Sequence, residues 1–119
     1  MPEACPVFLL VDDHALYRTG LVMALGQAWP QAQAQQAGSL AEAWQRVLAL
    51  SAPLDLVLLD VRLPDGDGLS ALQDWARRLP GVPVVLMSSE VDAAMLSAAR
   101  EAGAAGFVHK SAPPADIVA

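Results

Sequence analysis

Four short, mostly apolar runs constrain this chain more than any other feature, because each closes on a side chain able to do acid, base or hydroxyl chemistry. Val7 to Val11 (VFLLV) closes on Asp12 and Asp13, and Asp55 to Leu59 (DLVLL) closes on Asp60. Val82 to Met87 closes on Ser88 and Ser89, and Gly106 to His109 closes on Lys110. Uninterrupted apolar runs of this length are how strands buried on both faces of a parallel sheet read.

Helical periodicities fill the gaps between the runs. From Ala15 to Ala28 the positions Tyr17, Leu21, Ala24, Leu25 and Ala28 recur at helical spacing, and Pro30 stops the pattern. Ser39 with Glu42 makes an S-x-x-E capping box, which predicts a second helix turning Trp44, Val47 and Leu48 to the core. Leu69, Leu72, Ala76 and Leu79 mark a third helix, and Val91 to Ala102 a fourth stopped by Gly103. Residues 31 to 37 (QAQAQQA) alternate weakly, in the manner of an edge strand. The resulting βα alternation predicts an α/β chain: a doubly wound, five-stranded parallel sheet with right-handed crossovers and helices on both faces. The strand ends then emerge along one edge, where such folds place their ligands. Asp12, Asp13, Asp60, Ser88 and Lys110 all fall there.

A chain of 119 residues, 55% of them hydrophobic, suits one domain over residues 1–119 with one core. No run of about 18 uncharged apolar residues and no basic signal-like stretch is present, so a cytoplasmic protein without membrane contact is expected. Thirteen acidic residues against seven basic ones give a net charge of −6, which disfavours binding to nucleic-acid phosphates. Cys5 is alone and cannot close an internal disulfide. Lys110 is the only lysine, so its role cannot be shared with another ammonium.

Three carboxylates gathered at strand ends repel one another and raise each other's pKa unless a cation holds them. Oxygen-only ligation suits Mg²⁺, which takes a few carboxylates, several waters and a substrate phosphate. An acidic pocket with one serine and one lysine is suited to receiving a phosphoryl group, a carboxylate oxygen attacking in line while cations neutralise the equatorial oxygens.

VDDHALYRTGL at 11 to 21, LLDVRLPDGDGL at 58 to 69, VLMSSE at 85 to 90 and GAAGFVHKS at 103 to 111 together resemble the receiver domains of two-component response regulators. The resemblance covers nearly the whole chain and is strongest to the branch that carries a C-terminal helix-turn-helix (LuxR-type) output domain. It implies the flavodoxin-like receiver fold, with Asp60 as phosphoacceptor. It further implies that Asp13, Asp12 and Asp60 hold Mg²⁺, Asp13 most directly, together with the backbone carbonyl of Arg62. Ser88 is then the switch hydroxyl, Lys110 the partner of Asp60 and later of a phosphoryl oxygen, and Phe107 the switch aromatic. The partners implied are a sensor histidine kinase, a DNA-binding output domain outside this chain and a second copy of the chain. Ser88 stands where the family more often has threonine, and Ser111 where a proline often follows the lysine.

Plainer readings exist for each residue. Asp12 and Asp13 also suit a helix N-terminus, Asp60 a Pro-Asp-Gly turn, Phe107 an inert core, and His14 a structural place beside the acidic pair. Trp29, Trp44 and Trp75 share no spacing that builds an aromatic cage. An aspartyl-phosphate-forming phosphatase is the competing activity, but the D-x-D that such enzymes carry after the first strand is here an adjacent pair, Asp12-Asp13. A degenerate receiver serving only protein contacts would not need all five polar residues at the sheet edge. The family expects a fifth helix of about three turns; Pro113, Pro114 and Asp116 suit its start, and only Ile117, Val118 and Ala119 follow, so a receiver cut within its last helix is expected.

Overall fold

The computed structural model describes residues 6–50, 54–90 and 92–111. The strands are β1 (Val7–Val11), β2 (Gln33–Ala37), β3 (Leu56–Asp60), β4 (Val84–Ser88) and β5 (Gly106–His109), interleaved with α1 (Ala15–Ala28), α2 (Leu40–Ala49), α3 (Gly68–Arg78) and α4 (Ala93–Glu101). They form one parallel sheet in the order β2-β1-β3-β4-β5. The chain steps one way from β1 to β2 and the other way to β3, so a crevice opens between the ends of β1 and β3. Asp12 and Asp60 stand at those two ends.

The sheet divides the apolar interior in two, where the composition suggests one core. On one face Leu9, Val11, Val57, Leu59 and Leu86 pack with Ala43, Leu72, Trp75 and Ala99; on the other Phe8, Leu10, Leu58 and Met87 pack with Leu21 and Leu25 of α1. Alternate residues of each central strand therefore serve opposite cores, which is why those strands read as unbroken apolar runs. β2 is an edge strand, as its polar alternation suggests, with only Ala37 fully buried.

Helix faces depart from the sequence reading at three positions. Ala28 is exposed at the end of α1. Leu48 is 71% exposed, because the α2 stripe runs through Leu40, Ala43, Trp44, Val47 and Leu50. In α3 Trp75, not Ala76, enters the core: Gly68, Leu72, Trp75 and Leu79 form the inward stripe, and an indole removes far more apolar area from water than a methyl. Trp75 meets Trp44 at 5.9 Å between ring centroids, and Arg78 lies 4.8 Å over Trp44, so two tryptophans and an arginine pin α2 to α3 without forming a cage.

The capping box forms with a shift. Ser39 Oγ accepts from the Glu42 amide at 3.1 Å, but the Glu42 carboxylate reaches the Gly38 amide rather than that of Ser39. α4 is shorter than its periodicity suggests and begins behind an Asp92 cap. The Pro/Gly/Asp-rich segment after β3, read as plain loop, holds a two-stranded antiparallel ribbon pairing Arg62–Leu63 with Gly66–Asp67. The expectations for Cys5 and for residues 113–119 lie outside the described residues. Among the described residues no helix is long and apolar enough to cross a membrane.

Candidate functional site

β1 delivers Asp12 into the crevice fully buried, and the turn into α1 is held by its own side chain: Oδ1 accepts from the His14 amide at 2.7 Å. His14, not either aspartate, occupies the N-cap of α1, and its side chain makes no cap bond. Arg18, one turn into α1, donates from its guanidinium to the Asp12 carbonyl and to Gln36 Oε1 of β2, fastening the end of β1 from behind. Asp13 lies at the rim, with its side chain 39% exposed.

β3 delivers Asp60, 4% exposed. Its Oδ1 accepts from the Arg62 amide at 3.2 Å and its Oδ2 from Lys110 Nζ at 3.0 Å. Burial pushes the Asp60 carboxyl above the usual carboxylate range; the bonds from Lys110 and Arg62 work against this, and the Asp12 charge adds to it. Lys110 follows β5 with its side chain 11% exposed, and it also lies 2.8 Å from Asp12 Oδ2. Burial works to lower its pKa, but the close contacts with the Asp12 and Asp60 carboxylates outweigh burial, and the net direction is upward. The ammonium is therefore firmly protonated. The contact with Asp12 Oδ2 is close but lacks hydrogen-bond geometry, leaving that buried oxygen charge-compensated and without a directional partner.

The backbone of Ser88 joins β4 to the lysine, its carbonyl accepting from the Lys110 amide at 2.8 Å. Its hydroxyl is engaged with the Glu90 backbone, donating to the carbonyl at 2.7 Å and accepting from the amide at 3.1 Å. Asp13, His14, Asp60, Arg62, Ser88, Ser89 and Lys110 line a cleft of about 250 Å³. Arg62 and Glu90 bridge its mouth through a 3.1 Å ion pair between exposed side chains.

Of the residues singled out by sequence, Asp12, Asp13, Asp60, Arg62, Ser88 and Lys110 thus come together. Phe107 does not join them. It is half-buried against the core under α4 and lines a separate groove of about 250 Å³ with Leu96, Ala99 and Ala104.

Ligand atoms of Asp12, Asp13, His14 and Asp60 all lie within 4.8 Å of one another. Three carboxylates, one with a buried oxygen lacking a directional bond, form a donor set that fits a hard divalent cation.

Sequence reasoning set aside His14 as structural and missed other residues that build this site. His14 Nδ1 stands 3.0 Å from Asp12 Oδ1, 3.2 Å from Asp13 Oδ1 and 3.0 Å from Lys110 Nζ, so the imidazole is part of the cluster. Gly68 carries no reactive group, yet a Cβ there would lie 2.2 Å from the Asp60 carbonyl oxygen. The Gly-Asp-Gly after Asp60 is a signal for tight backbone, but nothing local says which glycine touches the end of β3.

Tyr17, read only as a helix-face residue, lies beneath the lysine, its ring 4.7 Å from Nζ. Its hydroxyl is buried without a hydrogen-bond partner among the described residues. Burial raises its pKa above the ordinary phenol value; Lys110 lowers it, and Asp12 and Asp60 raise it. A phenol with a raised folded pKa contributes stability that is complete below the unfolded pKa and is lost as pH rises through the folded one. Because the chain has one tyrosine, phenolate absorbance should show a single ionisation above 10.0 in the folded domain, returning to the ordinary value on denaturation. Identical curves in the two states would contradict the burial.

Comparison with known proteins places these features in context. The family described as response regulator receiver domain matches residues 8–119. The chain is 45% identical over 102 residues to the DNA-binding transcriptional activator DevR/DosR of Mycobacterium tuberculosis, covering 85% of this chain and 46% of that protein. It is 30% identical over 119 residues to the response regulator UvrY of Escherichia coli, covering 92% of this chain and 50% of that protein. The chain thus spans about half the length of the curated relatives it matches. Among solved structures, a two-component response regulator of the LuxR family from Aurantimonas superposes with a TM-score of 0.81 at 28% identity, covering 97% of this chain and 81% of that one. A CheY-like receiver domain protein from Methanospirillum hungatei superposes at 0.84 with 20% identity, covering 97% and 89%, a likeness of fold.

Proposed function

The chain belongs to the response regulator receiver domain family of two-component systems, and from that premise we propose that Asp60 is its phosphoacceptor and that Asp12, Asp13, Asp60 and the Arg62 carbonyl hold Mg²⁺ beside it. The single observation carrying this reading is the meeting of Asp12, Asp60 and Lys110 at 2.8–3.0 Å at the end of a parallel sheet. When bound, Mg²⁺ supplies positive charge to the transferring phosphoryl oxygens.

The chain's own groups do the rest. A carboxylate oxygen of Asp60 attacks phosphorus in line. The O–P bond forms as the bond to the leaving group breaks, and the leaving group departs with that electron pair. A phosphohistidine donor releases imidazole; acetyl phosphate releases acetate. Lys110 moves its ammonium from Asp60 Oδ2 to a phosphoryl oxygen, a charge-assisted contact suited to a flexible stem. The Ser88 hydroxyl leaves the Glu90 carbonyl for another phosphoryl oxygen, and Phe107 fills the space it vacates. These groups promote the domain's own phosphorylation and its hydrolytic reversal. Ser88 and Lys110 stand at the ends of β4 and β5, so the charge on Asp60 is read out on the face built by α4 and β5, including the groove beside Phe107. The proposed partners are a sensor histidine kinase as donor and a DNA-binding output domain as receiver of the change, in a cytoplasmic setting.

Incubation with Mg²⁺ and acetyl phosphate followed by intact mass measurement tests the reading. One phosphoryl group should add to the parent chain and none to Asp60→Asn. Asp13→Ala should lose labelling at Mg²⁺ levels that saturate the parent. Labelling that persists in Asp60→Asn would displace the acceptor to another residue.

A further inference from the structure

The ribbon after Asp60 has two residues per strand, Arg62–Leu63 and Gly66–Asp67, too few to hold a fixed position unaided. Its first residue matters to the chemistry, since the Arg62 amide donates to Asp60 Oδ1. At the ribbon's tip, Asp65 reaches away from the pocket to the start of α2. Its Oδ1 accepts from the Leu40 amide at 2.8 Å and its Oδ2 from the Ala41 amide at 2.9 Å. Ser39 Oγ accepts from the Glu42 amide and the Ser39 carbonyl from the Ala43 amide. The amides of Leu40, Ala41 and Glu42, which the helix cannot satisfy internally, thus all have acceptors, two of them on a carboxylate from a different part of the chain, and the Ala43 amide makes the first intrahelical bond. Charge-assisted bonds at the positive end of a helix are stronger than ordinary surface ones, and those two bonds hold the Asp65 carboxyl below the usual range. The fit is close: a Cβ on Gly66 would come within 2.8 Å of Leu40 Cδ1.

We propose that Asp65 is a positioning residue, a latch that fixes the acceptor loop to the start of α2 and thereby holds the Arg62 backbone against Asp60. Its consequence for metal binding and phosphorylation rests on the function proposed above; its consequence for the loop does not. Occupancy of the pocket is then felt at the Leu40 and Ala41 amides.

Two measurements on Asp65→Ala and Asp65→Asn test this. Asparagine removes the charge and one of the two accepting oxygens, so it can keep one of the two bonds to α2. Without metal, amide exchange at residues 62–67 should quicken at least tenfold in Asp65→Ala and by an intermediate amount in Asp65→Asn. The Mg²⁺ concentration for half-maximal acetyl-phosphate labelling should rise about tenfold in Asp65→Ala, the low end of what losing a group that orients a metal ligand costs. The maximal rate should be little changed, and Asp65→Asn should fall between the parent and Asp65→Ala in affinity. Unchanged exchange in Asp65→Ala overturns the latch. So does exchange in Asp65→Asn as fast as in Asp65→Ala, since the one bond that asparagine keeps should still hold the loop in part. Failure of the parent chain to label at Asp60 overturns the proposed function, and the metal-free exchange still decides the latch. Should Asp65→Ala not fold, Mg²⁺ titration of the parent chain decides instead: the Leu40 and Ala41 amide resonances should shift in step with Arg62, and their constancy would rule the coupling out.

Discussion

Replacing Gly68 with alanine should lower the melting temperature by about 10 °C and remove most acetyl-phosphate labelling, although position 68 bears no functional group. A Cβ there would lie 2.2 Å from the Asp60 carbonyl oxygen, 3.1 Å from its carbonyl carbon and 3.2 Å from Leu59 Cγ. The first two are backbone atoms of a central strand, which cannot swing aside as a side-chain tip can. The Gly68 amide also donates to the Val61 carbonyl at 2.7 Å, so the start of α3 is tied to the segment it would strike. Forcing a methyl into a packed interior costs about 1–3 kcal/mol, and backbone contact puts this site at the upper end. At about 3–5 °C per kcal/mol for a domain of this size, the melting shift follows. Labelling falls because relief of the clash moves Asp60 itself, and displacements of about 1 Å can cost a hundredfold in rate. A Gly68→Ala chain melting within 2 °C or so of the parent would show that α3 can slide away freely.

Lys110→Met should destabilise the domain by about 3 kcal/mol and slow labelling by about two orders of magnitude. The ammonium sits between two buried carboxylates, 2.8 Å from Asp12 Oδ2 and 3.0 Å from Asp60 Oδ2. Methionine preserves most of the stem's packing while deleting the charge, so the loss reports on two like charges left facing each other in a low-dielectric crevice. The defect should shrink in millimolar Mg²⁺, because an ion held by the same carboxylates restores compensation by linkage. Melting curves with chelator and with Mg²⁺ check this. Equal destabilisation in both would separate the lysine from the metal site. The labelling loss should remain even at saturating Mg²⁺, since the metal cannot also take the ammonium's place on a phosphoryl oxygen.

The strands were legible because β1, β3 and β4 are buried on both faces, which leaves a continuous apolar signature and forces each polar residue to the strand end. The same property made Asp12, Asp60 and Ser88 conspicuous, and Lys110 stood out as the only lysine. Periodicity proved weaker for helix faces because it counts positions, not size. It favoured Ala76 where the bulk of Trp75 decides which residue turns inward, and it placed Leu48 on a face that ends at Val47 and Leu50. What was illegible is non-local. Asp65 reads as one member of a Pro-Asp-Gly turn until α2 arrives to present two unpaired amides. Gly68 reads as one of several loop glycines until α3 folds back over the Asp60 carbonyl. His14 lies beside the acidic pair in sequence, but its approach to Lys110 joins residues from opposite ends of the chain.

The lone lysine has one more consequence. Acetyl phosphate is an acylating agent as well as a phosphoryl donor, and a free amine near its bound carbonyl carbon would compete for the acetyl group. Lys110 is 11% exposed, clamped by two carboxylates and raised in pKa, so almost none of it carries the lone pair that acylation requires. On the function proposed above, the ion pairing that readies the ammonium to meet a phosphoryl group also makes it a poor nucleophile, so the pocket could take a mixed anhydride without modifying its own cation.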